Sequence, residues 1–255
     1  MAKKVTIEDV AREAGVSTMT VSRAINNKDE ITEETRQKVL QVANRLRYRP
    51  SRIARSLATK KTFQIGLVIP DIRNPFFSQI ALGSQTAAWE ANYNLLLLNT
   101  MEDQKQEALI LDFLVASEVD GIILCSSRLV AHQLEEKLKE IPPIVLIGRK
   151  VNAEVAGTVL IRDDDGAMQA IKHLIENGRK HIACLTGPPQ SSSGSRRKEG
   201  YIRALETAGM SIDEALVVKC EATPEGGETA CSALLSQAPY IDGIFCHNDL
   251  VAAGA

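Results

Sequence analysis

Residues 6–25 read Thr-Ile-Glu-Asp-Val-Ala-Arg-Glu-Ala-Gly-Val-Ser-Thr-Met-Thr-Val-Ser-Arg-Ala-Ile, and the spacing of their apolar members decides how the chain begins. Ile7, Val10, Ala11 and Ala14 recur at three- and four-residue intervals, which places them on one helical face. Thr6 supplies a capping hydroxyl, and Glu8 and Asp9 an acidic first turn. Gly15 ends this helix, Val16 is an apolar turn residue, and Ser17 caps a second helix through Thr20, Val21, Ala24 and Ile25. So short a turn makes the two helices cross steeply. With Val10, Ala14, Val16, Val21 and Ile25 turned inward, Thr18, Met19, Ser22 and Arg23 point outward. The alternative for Met19 is a core position, against which stands its place two residues before Val21. A small, polar, cationic helix face suits a DNA major groove, where arginine pairs bidentately with guanine and methyl groups meet thymine.

Working outward, Thr32 caps a third helix over residues 33–47, and Val39, Val42, Ala43 and Leu46 can close a three-helix core. After Tyr48-Arg-Pro comes a short segment, residues 51–58, in which Arg52 and Arg55 accompany Ile53, Ala54 and Leu57. This composition predicts a small helix after Pro50 rather than a flexible linker. An apolar side chain from it can wedge between base steps of a minor groove, or Leu57 can instead pack on the next domain. Charge follows the same division. Residues 1–62 carry a net +7 and residues 63–255 a net −9, within an overall −2. A basic segment on an acidic body fits an electrostatic footprint for a polyanion.

The chain has 255 residues, 44% of them hydrophobic and 24% charged, enough to bury a core. A disordered tail and a disulfide miniprotein are excluded. Apolar runs such as Ile65–Ile69 fall far short of the roughly 20 residues that cross a membrane, and Met1-Ala-Lys-Lys leads into a polar segment, so the expected location is cytoplasmic, without membrane contact. Five cysteines without CxxC spacing read as reduced, mostly buried thiols. From Gln64 onward, strand-like runs (64–69, 94–99, 121–125, 144–147, 158–161, 181–186, 215–219, 242–246) alternate with amphipathic segments such as 76–91, 104–117, 166–177 and 195–208. The pattern predicts an α/β fold with a parallel sheet covered by helices. Ligands in such sheets bind at the C-terminal ends of strands, here the loops 70–77, 126–128, 148–150, 162–165, 187–197 and 247–249. No catalytic or metal-binding set is legible among them. The four histidines lack ligand spacing, Asp163-Asp164-Asp165-Gly166 lacks the alternation of a calcium loop, and Gly187–Gly194 lacks the lysine of a phosphate loop. No enzyme activity, cofactor or metal is expected.

Val5–Ser17, Thr20-Val-Ser-Arg23, Asn26, Thr32–Arg36 and Tyr48–Leu57 together closely resemble the lactose repressor (LacI/GalR) family of bacterial transcription regulators. The resemblance implies a helix-turn-helix headpiece with a hinge helix over 1–61. It implies an effector-binding domain of the periplasmic-binding-protein type, with two lobes, over 62–255. It implies that Ser17, Thr18, Met19, Thr20, Ser22 and Arg23 read bases or adjacent phosphates, with Thr18 and Met19 setting specificity. Thr6, Asn26, Thr35 and Tyr48 would hold the DNA backbone, and Ser51, Ala54 and Leu57 would enter the minor groove. Glu8 stands where some members contact phosphate, which an anion cannot do. In the cleft, the resemblance assigns Asn74, Phe76, Phe77, Asp165, Arg197, Asn248 and Asp249 to the effector. Such a set suits a polyhydroxylated, sugar-like molecule, because each hydroxyl both donates and accepts. Arg196, Arg197 and Lys198 leave a phosphorylated or acidic ligand as an alternative.

The implied function is an effector-controlled, sequence-specific regulator, most simply a repressor, binding a palindromic double-stranded operator as a homodimer. The rival reading is a small-molecule binding protein with a non-functional headpiece. The final residues, Asn248–Ala255, read as the first turns of a helix without a C-cap or a closing strand, from which an incomplete second lobe is expected.

Overall fold

The computed structural model describes residues 5–49, 56, 59–151 and 156–255, and the chain divides into two compact units, Met1–Thr62 and Phe63–Ala255. In the first, α1 (Ile7–Ala14), α2 (Thr18–Ile25) and α3 (Glu33–Arg45) enclose a core of Val10, Ala14, Val21, Val39, Val42 and Ala43. Val16, Ile25, Leu46 and Tyr48 pack on it partly buried. Each helix starts at a side-chain cap: Thr6, in a reciprocal capping box with Asp9, then Ser17 and Thr32. Gly15 closes α1 with φ 68°, a left-handed conformation that a residue without Cβ adopts at no steric cost. The third helix stops two residues short of the expected end. The segment 51–58 lies, apart from Ser56, outside the described residues.

The second unit holds two parallel sheets. In the first lobe, β1 (Gln64–Ile69), β2 (Asn94–Asn99), β3 (Gly121–Cys125), β4 (Ile144–Ile147) and β5 (Ala156–Val159) lie in the order β2-β1-β3-β4-β5. They are connected through α4 (Pro75–Glu90), α5 (Gln104–Ala116) and α6 (Ala131–Leu138). Alternation along the strands sends Val68, Ile122 and Leu124 to the face covered by α5 and α6, and Leu67, Ile69 and Cys125 to the face that carries Phe77 of α4. The second lobe contains β6 (Ile182–Thr186), β7 (Val217–Lys219) and β8 (Gly243–Cys246) in the order β7-β6-β8. Around them lie α7 (Asp163–Glu176), α8 (Ser192–Thr207), α9 (Pro224–Gln237) and α10 (Asp249–Gly254). No described helix is long and apolar enough to cross a membrane.

Four strands match the sequence pattern to the residue, and the departures elsewhere have local causes. The strand expected over 158–161 is instead β5, because pairing with β4 aligns Ile144 with Ala156 and Ile147 with Val159, so Leu160 and Ile161 run past the ladder. Residues 214–216 wind into a 3₁₀ turn, since the Asp213 carboxylate accepts from the Ala215 N–H at 2.9 Å, and only 217–219 pair. Both α7 and α8 begin three residues earlier than apolar periodicity suggests. The acid run Asp163–Asp165 forms the first turn of α7, and Ser191 caps α8 through the Gly194 N–H.

Helices α7 and α8 meet at Gly200, where a Cβ would stand 2.2 Å from the Asp164 carbonyl oxygen and 2.9 Å from Cβ of Ala167. Backbone cannot yield as a flexible side chain does, so the approach requires glycine. Gly200→Ala is expected to lower the stability of the second unit by about 2–3 kcal/mol in urea unfolding followed by circular dichroism. Unchanged stability would mean that the helices can separate freely.

Candidate functional site

On α2, Thr18 and Met19 are exposed, Met19 to 61%, while Ser22 and Arg23 are half-buried one turn further on. The four occupy one arc of the helix. Neighbouring polar residues are partly engaged in holding the backbone. Ser17 Oγ accepts from the Thr20 N–H at 3.1 Å and lies 2.9 Å from the Thr20 hydroxyl. Asn26 Nδ2 donates to the Ser22 carbonyl at 2.8 Å. Thr35 pairs with the Thr32 hydroxyl at 2.9 Å, and Thr6 caps α1. Tyr48 is half-buried against the helical core, and desolvation, then the Glu8 charge, pushes its hydroxyl pKa up. Ser51, Ala54 and Leu57 lie outside the described residues.

In the second unit, a cleft of about 990 Å³ opens at the C-terminal ends of the strands. Asn74, Phe76 and Phe77 after β1, Arg128 after β3, Gly148 after β4 and His247–Asp249 after β8 line it, together with Asp163 and Arg197. Asp163 is buried and holds two guanidiniums. Arg196 Nη2 lies 2.5 Å from Oδ2, and Arg197 Nε lies 3.0 Å from Oδ1. The arginines carry the contact onward, Arg197 Nη1 donating to the His247 carbonyl at 2.5 Å and Arg196 Nη2 to the Gly148 carbonyl at 3.1 Å. At the first-lobe wall, buried Arg128 forks onto Glu102 and donates to the Ser126 carbonyl at 2.6 Å. Buried Glu107 accepts from the Ser127 hydroxyl and, at 2.7 Å, from the Arg128 N–H. Desolvation dominates at Glu107 and raises its pKa. The caps of the two flanking helices sit at the rim: Asn74 Oδ1 accepts from the Phe76 N–H at 3.0 Å and Asn248 Oδ1 from the Val251 N–H at 2.9 Å.

Residues 6–51 match the profile of bacterial regulatory proteins, lacI family, and residues 62–255 that of periplasmic binding proteins and the sugar binding domain of the LacI family. The chain belongs to the LacI family. It is therefore a DNA-binding regulator of transcription with an effector domain, not an enzyme. Among its relatives, catabolite control protein A of Priestia megaterium is 36% identical, over 98% of this chain and 76% of that protein. The HTH-type transcriptional regulator DegA of Bacillus subtilis is 38% identical, over 99% and 75%. The solved structure of the transcriptional regulator CelR–cellobiose complex matches with TM-score 0.67 at 32% identity, over 98% of this chain and 76% of that one. The lac repressor dimer bound to operator and the anti-inducer ONPF shares the fold, with TM-score 0.87 at 24% identity over 99% and 76%.

The cleft departs from the sequence expectation at one residue. Asp165 is not among the cleft-lining residues, and its carboxylate pairs with Arg162. Two residues along a helix is more than half a turn, so Asp163 and Asp165 cannot face the same side, and Asp163 takes the inward place. Phe77 is only 5% exposed and packs with Leu67 and Ile69, whereas Phe76, 44% exposed and edge-on to it at 5.1 Å, presents the open ring. Four further residues are not distinguished individually by the sequence, although Arg36 falls in the Thr32–Arg36 stretch and Arg128 and His247 in the expected ligand loops. Arg36, Glu107, Arg128 and His247 have ordinary surface-type identities and are buried only by the tertiary structure. All five cysteines are free. Burial raises the pKa of Cys125 and Cys184 to about 12, which leaves these thiols protonated.

His247 is 7% exposed and its Nδ1 has no partner among the described residues. A Cβ on Gly187 would lie 2.5 Å from its ring, and one on Gly194 3.1 Å away, so these glycines make the slot it occupies. Desolvation, then the Arg197 and Arg128 charges, depresses its pKa from 6.5 to about 4. Between these values the unfolded chain binds a proton that the folded chain refuses. Stability is therefore full above about pH 6.5, falls as pH drops, and levels off below about pH 4. His247→Gln is expected to flatten the pH–stability profile of the second unit over that window by up to about 3 kcal/mol, measured by urea unfolding. A variant as steep as the parent would assign the slope to other groups.

Proposed function

We propose that this LacI-family protein is a repressor that reads a palindromic operator as a homodimer and is released or engaged by a small hydroxylated, sugar-like effector. Thr18, Met19, Ser22 and Arg23 form the base-reading arc in this proposal. Thr6, Ser17, Thr20, Asn26, Thr35 and Tyr48 hold phosphates from the rim, and Ser51, Ala54 and Leu57 are assigned to the minor groove by family resemblance. Residues 1–61 serve as the DNA-binding domain and residues 62–255 as the effector-binding domain.

The observation that carries the effector half is the Asp163–Arg197–His247 chain at the strand ends, flanked by the Phe76 ring and the amides of Asn74 and Asn248. The capped oxygens of Asn74 and Asn248 leave their amide nitrogens to donate, Arg197 adds a cationic donor, and Asp163 and Asp249 accept. Donors and acceptors beside an aromatic face match the hydroxyls and ring of a sugar. A cellobiose complex among the 32%-identical relatives and the ribose operon repressor of Halalkalibacterium halodurans, 38% identical, support the same chemical class. An effector regulates only through a difference in affinity for two states, so a ligand bridging Asn74 of the first lobe and Asn248 of the second would favour one lobe arrangement.

Support for the homodimer comes from the edge of the first sheet. Edge strand β2 exposes Leu97, Met101 follows it, and α4 and α5 expose Leu82, Trp89, Leu109 and Phe113. Exposed apolar side chains at a sheet edge suit an association surface, and the lac repressor of the same fold is a dimer in its operator complex.

Binding-site selection from random duplex DNA by the purified chain tests the DNA half. A two-fold symmetric consensus is expected, and recovery of unpatterned, salt-sensitive DNA alone would overturn it. For the cleft, Asp163→Asn is expected to abolish binding in calorimetric titration with a panel of mono- and disaccharides, while Asp165→Asn retains affinity within about twofold. Equal losses in the two variants would return the ligand-facing role to Asp165 or to neither.

A further inference from the structure

The loop after α2 is anchored from beneath. Asn27 adopts φ 52°, and the buried Arg36 guanidinium reaches it from α3. Nη1 donates to Asn27 Oδ1 at 2.6 Å, Nη2 to the Lys28 carbonyl at 2.8 Å, and Nε to Glu33 Oε2 at 3.1 Å. A planar fork whose three edges are all engaged fixes what it binds. Two residues beyond Lys28, the Glu30 carboxylate forms an ion pair with Arg23, its Oε2 2.7 Å from Nη2. Arg23 is the sole charged residue of α2 and belongs to the arc proposed to read bases.

Arg23 is half-buried and Glu30 exposed, with 38% and 62% of their side chains accessible, so the pair adds little to folding stability. Its consequence lies at the DNA. A free arginine side chain loses much rotamer freedom on docking, and a carboxylate on an anchored loop takes that loss before the duplex arrives. The same carboxylate offsets the arginine's charge. It weakens the attraction to phosphates, which depends on net charge, and leaves Nη1 with the second N–H of Nη2 as a fork to meet guanine O6 and N7, which depends on geometry.

We infer that Glu30 is a positioning residue for operator recognition: held by the Arg36-anchored loop, it aims Arg23 at a guanine and suppresses binding to unrelated DNA. The inference rests on the proposed role of α2 as the reading helix. The test uses the full chain as wild type, Glu30→Gln and Arg23→Ala. Each is titrated at several salt concentrations against the selected operator, the operator with each G·C pair of the half-site replaced in turn, and an unrelated duplex. For Glu30→Gln, binding to the unrelated duplex is expected to tighten about three- to tenfold, with a salt slope steeper by about 0.9. Discrimination at the guanine read by Arg23 is expected to fall about tenfold, with the melting temperature unchanged.

Equal tightening on operator and unrelated DNA with discrimination intact would make Glu30 a merely repulsive surface charge and overturn the inference. Unchanged binding throughout would overturn it as well. The Arg23→Ala arm separates the two levels. If that variant keeps every base preference, the reading of α2 fails. If it loses one that Glu30→Gln retains, only the role of Glu30 fails.

Discussion

Asp163 is one carboxylate shared by two guanidiniums, and the arrangement of the cleft depends on it. Its side chain is out of solvent and could not stay charged there alone, so Arg196 and Arg197 must converge on it. Once converged, neither arginine has a free choice of second partner. Arg197 reaches the His247 carbonyl at the end of β8, and Arg196 reaches Gly148 at the end of β4 in the other lobe. A single buried charge thus ties the first turn of α7 to α8, α8 to the second sheet, and the second lobe to the first. The close approach at Gly200 is the steric counterpart of the same junction, since it lets the two helices come near enough for the ion pairs to form.

This wiring gives the effector domain a physical basis for two states. Within the second lobe Arg197 links Asp163 to His247 through two hydrogen bonds, whereas the connection to the first lobe that Arg196 makes is one hydrogen bond to a carbonyl. Atoms of a ligand placed between Phe76 and Asn248 meet both lobes, and whatever they add is added to the arrangement in which both walls are within reach. His247 contributes a neutral ring to this environment. Burial and two arginine charges keep the proton off it, so the cleft does not gain a further cation at neutral pH.

In the headpiece the governing device is again an arginine drawn inside. Arg36 lies at 9% exposure among three partners and fixes the loop that follows the reading helix. The small apolar core of Val10, Val21 and Val39 sets the angle between α1, α2 and α3, and Arg36 sets the path of the chain that leaves α2. Both buried arginine systems turn a charged residue into a positioning element, because a charge removed from water is held by the geometry of its partners.

Much of this molecule is local in origin and so is legible in its sequence. Thr6, Ser17 and Thr32 cap helices within three residues of themselves, Gly15 takes the conformation that ends α1, and β1 to β4 follow continuous apolar runs. These features need only the chain's own neighbours, and the headpiece and the alternating α/β order were accordingly readable, as was the position of the cleft loops after the strands. Which acid faces inward was not. Asp163, Asp164 and Asp165 are chemically identical and adjacent, and only the true start of α7, three residues earlier than its apolar periodicity, turns Asp163 toward Arg196 and Arg197. The same holds for Phe76 and Phe77, for His247 in its slot between Gly187 and Gly194, and for Arg23 on Glu30. Burial and ion pairing at these positions depend on residues up to 60 positions away in the chain, as for Gly187 and His247, and on rotations of about 100° per helical residue. The sequence pattern therefore determined which elements form, and tertiary packing decided which of several equivalent side chains each element presents.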